Sequence, residues 1–96
     1  MKPVQISNAV ILRLDELYQY IVDEYKMPDT AHKRIEDIHE FLQSLGGCYV
    51  LSKCRHKKWS RLGYRCAVFD HVWIFAYQVY DDRIIIHDME HAANIK

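Results

Sequence analysis

The last third of the chain constrains the fold most. Three strand candidates follow one another almost without interruption: Tyr64 to Phe69, Val72 to Tyr80, and Arg83 to about Glu90. Only Asp70-His71 and Asp81-Asp82 separate them, and connections that short join antiparallel neighbours. Neither pair contains the glycine that marks a tight hairpin turn. The β-branched run Arg83-Ile84-Ile85-Ile86 suits a pleated sheet and resists a helix.

Ahead of the strands, the apolar period changes from two to 3.6 residues. A short strand, Val4 to Ile6, leads to Ser7 or Asn8 as the cap of a first helix. Val10, Leu14, Leu17, Ile21 and Tyr25 then recur on one helical face. Met27-Pro28-Asp29 ends this helix and starts the next, in which Ala31, Ile35, Ile38, Leu42 and Leu45 repeat the stripe. Gly46-Gly47 is the expected left-handed stop. The expected class is α+β in the order β-α-α-β-β-β, an antiparallel sheet with a two-helix hairpin packed on one face. With 96 residues and no linker or repeat, residues 1–96 form a single domain. No run of apolar residues is long enough to span a membrane and no signal-peptide core follows Met1, so the chain reads as cytoplasmic.

The net charge of zero conceals an asymmetry. Residues 1–45 carry eight acids and five bases, a balance of −3; residues 46–96 carry five acids and eight bases, a balance of +3. Six of those bases, Lys53, Arg55, Lys57, Lys58, Arg61 and Arg65, fall within thirteen residues that contain no acid. Such a cluster fits phosphate or an acidic partner, or else a solvated loop. Cys48, Cys54 and Cys66 are an odd set without C-x-x-C spacing, and reduced thiols are the simpler expectation.

Two-residue turns would pair Tyr80 with Arg83, Ala76 with His87, Val72 with His91 and Arg65 with Ala76. Alternation then assigns Trp73, Phe75, Tyr77, Val79, Ile84, Ile86, Cys66 and Val68 to the face that covers the helices. Arg65, Gln78, Arg83, His87 and His91 fall on the other, around Val72, Ile74, Ala76 and Ile85. The stretch His87-Asp88-Met89-Glu90-His91 matches H-x-x-E-H, a helical zinc-peptidase motif. On a strand, Glu90 points away from both histidines, so no metal site is expected there.

The order and spacing of these strands resemble the RelE/ParE superfamily of bacterial type II toxins. The residues that carry the resemblance are Gly63-Tyr64-Arg65-Cys66-Ala67-Val68-Phe69, the strand from Val72 to Tyr80 closing on Asp81-Asp82, and Arg83-Ile84-Ile85-Ile86-His87 with His91. The preceding helix pair fits as well, so the resemblance spans nearly the whole chain. It implies a toxin held inactive by a cognate antitoxin, with mRNA cleavage the leading expectation and gyrase inhibition the alternative. RelE-like members are ribosome-dependent endoribonucleases that cut mRNA. ParE-like members are not enzymes and poison DNA gyrase. An inactive or protein- or RNA-binding module of the same fold is the third reading.

For the nuclease, which needs no metal or cofactor, Arg65 matches the strand arginine that acts on the phosphate. His91 matches the terminal-strand histidine available as acid or base. Lys57, Lys58, Arg61 and His87 would bind substrate, with Trp59 stacking on a base. Where relatives carry a glycine or a basic residue after the last histidine, this chain has Ala92-Ala93-Asn94. It also lacks a terminal tyrosine.

Overall fold

The computed structural model describes residues 2–47, 54 and 57–92. Elements run β1 (Val4–Ile6), α1 (Asn8–Tyr25), α2 (Pro28–Ser44), α3 (Lys57–Arg61), β2 (Arg65–Phe69), β3 (Trp73–Val79) and β4 (Ile84–His91). The strands form one sheet in the order β1-β4-β3-β2. It is antiparallel across β2, β3 and β4, while β1 joins β4 in parallel. The expected β-α-α-β-β-β layout is therefore present, with α3 added inside the basic segment.

Ser7 shows how local chemistry sets the entry to α1. Its Oγ accepts from the Val10 N–H, which caps the helix, and donates to the His87 carbonyl at 2.9 Å. The Ser7 N–H donates to the Ile86 carbonyl at 3.0 Å, so a single residue ends β1, caps α1 and grips β4. At the far end, Lys26 turns left-handed with φ 54° and its N–H closes on the Val22 carbonyl. Pro28 then opens α2, where the N–H that it lacks has no helical partner to lose.

The apolar stripes meet the sheet largely as expected. Val10, Leu14, Ile38, Leu42 and Leu45 pack with Ala67, Phe75, Tyr77, Ile84, Ile86 and Met89, and Leu17, Ile35, Trp73 and Val79 border them. Tyr25 departs from its stripe: its ring meets Tyr20 edge-on at 6.4 Å and it is 62% exposed. Gly46 has a different role from the one expected. The residue before it, Leu45, is right-handed and closes α2. A Cβ at Gly46 would collide with the Lys2 carbonyl oxygen, and the Gly46 carbonyl accepts from the Lys2 N–H at 2.9 Å. The glycine permits the close approach of the chain's start to the end of α2.

Two one-residue irregularities set the register. Asp70 and His71 are both left-handed, with φ 54° and 58°, which closes a turn from the Val72 N–H to the Phe69 carbonyl. Val72 then adds a residue before pairing begins, so Phe69 faces Trp73 and Arg65 faces Tyr77 rather than Ala76. Across the next turn, Tyr80 meets Arg83 and Tyr77 meets Ile86 as the two-residue turn requires. A bulge follows. Ala76 faces Asp88, Trp73 faces His91, and His87 is left without a ladder partner.

Candidate functional site

The two register shifts redistribute the candidate residues. Cys66 and Val68, expected under the helices, belong to the opposite face, where Cys66 packs with Ala76 and Ile74 and Val68 is 52% exposed. Arg65, which faces Tyr77, and His91, which faces Trp73, move to the helix side. His87 stays on the second face, where its ring stacks on Tyr64 with centroids 4.6 Å apart and planes 7° from parallel. The expected grouping of Arg65, His87 and His91 on one open face is thus overturned. His87 and His91 lie on opposite faces, so they cannot share an ion, and no cluster suited to a metal occurs among the described residues.

Arg65 and His91 share a face without being neighbours. Their β3 partners are Tyr77 and Trp73, four residues apart, and their own strands flank β3 on either side. Strand spacing puts their Cα atoms roughly 16 Å from each other. Helices cover most of that face, although His91 itself is exposed at its margin.

The basic segment takes the opposite side. Lys57, Lys58 and Arg61 on α3 are exposed, whereas Trp59 is only 2% exposed and packs with Cys54 and Ala76. Trp59 pins α3 to the sheet, so its indole is not presented for the expected base stacking. Lys53 and Arg55 lie outside the described residues. The expectation of reduced thiols also gives way here, since Cys54 and Cys66 are joined in a disulfide.

Beside His91 is a cleft of about 600 Å³ between α1 and the end of the sheet, walled by Arg13, Tyr20, Tyr25, Trp73, Met89 and His91. The imidazole meets the Trp73 ring edge-on at 5.2 Å, and Arg13 reaches Asp88 at 3.9 Å. Arg13 and Tyr20 were not singled out from the sequence. The available signal was Tyr20 itself, a large aromatic lying off the apolar stripe of α1.

One titrating group departs clearly from its ordinary state at this sheet. Burial under Tyr64 lowers the His87 pKa below the usual imidazole value, and its Nε2 is buried without a hydrogen-bond partner. Burial thus favours the neutral imidazole, which suits packing better than phosphate binding.

Comparison with solved structures defines the class of the fold. A chain described as "Chromosomal ParDE TA system from P. aeruginosa" superposes with a TM-score of 0.77 at 18% sequence identity. The match covers 95% of this chain and 96% of that one. No protein-family profile and no curated protein matches the sequence. The chain therefore shares its fold with that ParDE chain, and the β-α-α-β-β-β order read from the sequence is the order they share. No helix among the described residues is long and apolar enough to cross a membrane.

Proposed function

We propose that this chain is the toxin of a type II toxin–antitoxin pair, restrained by a cognate antitoxin, and that it acts as a ParE-like, non-enzymatic inhibitor of DNA gyrase. The observation that carries the choice is the separation of the candidate nuclease groups. Metal-free RNA cleavage needs a base, an acid and a phosphate-binding cation gathered about one phosphate. Here Arg65 and His91 are roughly 16 Å apart by strand geometry, and the α3 cations lie across the sheet from His91. The fold shared with a ParDE chain over nearly the whole length supports the toxin part of this reading and is compatible with either activity.

The mRNA-cleaving alternative retains one supporting observation, the exposed Lys57, Lys58 and Arg61 on a single short helix, a group suited to an RNA backbone. Inducing the chain in growing bacteria and mapping the 5′ ends of a well-translated mRNA separates the two. The gyrase reading expects growth arrest without new ends. New ends confined to translated frames would replace it with the ribosome-dependent nuclease. That alternative further requires Arg65→Ala and His91→Ala each to abolish arrest, whereas the binding reading expects arrest to survive both. Absence of arrest in the unmodified chain would leave only an inactive or binding module.

A further inference from the structure

The disulfide between Cys54 and Cys66 lies in a part of the molecule that the main core does not need. Neither sulfur belongs to the cluster that joins α1 and α2 to the sheet. Both belong to the smaller cluster on the second face, in which Cys54, Trp59 and Ala76 are buried and Tyr64, Cys66 and Ile74 border them. The cross-link spans twelve positions, and α3 lies inside the loop that it closes. That helix has five residues, too few to hold its conformation alone, and its apolar anchor is the single buried indole of Trp59.

The bond is also reachable. Cys66 is half-buried on β2, an edge strand of the sheet. A recess of about 230 Å³ opens beside Cys54, with Ser60, Gly63, Tyr64 and Arg65 in its wall.

We propose that Cys54–Cys66 is a reducible latch that holds α3 down on the second face of the sheet. A dithiol reductant opens it in two steps. Its thiolate attacks one sulfur to form a mixed disulfide, releasing the other as a thiolate that takes up a proton. The reductant's second thiol then resolves the mixed disulfide. Two electrons and two protons pass to the protein, which ends with two thiols, and the dithiol becomes its own disulfide. With the tether open, α3 leaves the sheet, and Ile74, Ala76 and the Tyr64–His87 stack become solvent-accessible. Lys57, Lys58 and Arg61 move with the helix, so the redox state sets where this cationic group is presented. The helix hairpin and its core stay folded, because neither cysteine packs in that core.

The test is hydrogen exchange on the full chain, with and without dithiothreitol, after peptide mapping of the unreduced protein. Mapping is expected to recover Cys54 linked to Cys66. Reduction is expected to speed exchange across residues 57–64 by at least about tenfold while α1 and α2 keep their protection. Cys54→Ser should show the fast pattern without reductant, and Cys48→Ser should respond to reductant as the unmodified chain does. Unchanged exchange at 57–64 on reduction would overturn the latch. Loss of protection in α1 and α2 together with α3 would also overturn it, because the bond would then staple the whole fold. Recovery of Cys54 and Cys66 as alkylatable thiols even after treatment with oxidised glutathione would remove its basis.

Discussion

The two faces of this sheet are built on different scales. Against the helices, Phe75, Tyr77, Ile84 and Ile86 are completely buried and meet side chains from both α1 and α2. On the other side, a five-residue helix with one buried indole and one cross-link covers part of the surface. The first face supplies stability through apolar area removed from water. Among the described residues the second is held by a smaller buried cluster, the condition under which a segment opens locally before the domain unfolds. The contrast teaches that the exposed cations of α3 are mounted on the less securely held side.

Substitutions can break that contrast. Phe75→Ala is expected to have the largest effect, a loss of about 3–5 kcal/mol in global stability by denaturant titration, because it leaves a cavity between helices and sheet. Trp59→Ala removes a comparable ring, yet its main effect is expected as faster exchange in α3, with a much smaller shift of the global midpoint. Equal global losses from the two variants would show that the faces are one cooperative core.

Gly46→Ala tests the close approach at the end of α2. The new methyl meets the Lys2 carbonyl, so a loss of about 1–3 kcal/mol is expected, with exchange rising first in β1. Ser7→Ala removes the helix cap and the bond to the His87 carbonyl, for a loss of about 1–2 kcal/mol that Ser7→Asp should only partly restore. The aspartate can accept from the helix but, when ionised, cannot donate to the carbonyl.

The smallest effect expected is a dependence on pH from His87. Its pKa is lowered in the folded chain by burial, so the unfolded chain binds the extra proton more readily. The stability this neutral ring contributes is present above the ordinary value of 6.5 and is lost as pH falls through the depressed folded value. His87→Phe should remove that acid loss while keeping the stack on Tyr64. An unaltered pH profile would place the titration elsewhere.

The helices and strands were legible in the sequence because each depends on a repeating pattern. Val10, Leu14, Ile38 and Leu42 declare themselves by spacing, and all are buried. The candidate site was far less legible, because it depends on single residues at irregularities. Val72 adds one position after a turn with no glycine, which is enough to send Arg65 to the other face. The bulge at His87 does the same to His91, and nothing in Ile86-His87-Asp88 announces it. Cys54 and Cys66 are brought together by the return of the chain from α3 into β2, a tertiary event that cysteine spacing does not encode. Trp59 lies between: in a run of cations it reads either as a stacking platform or as a pin to the core, and the fold takes the second.

The central claim is the proposal that this chain acts by binding gyrase, without an assembled nuclease centre. Its most direct test is gyrase-catalysed supercoiling of relaxed plasmid with the purified full chain, in the absence of ribosomes. The account predicts inhibition that rises with the concentration of the chain and is lifted by the cognate antitoxin. Undiminished supercoiling at a large molar excess, from a preparation that arrests growth when expressed, would contradict it.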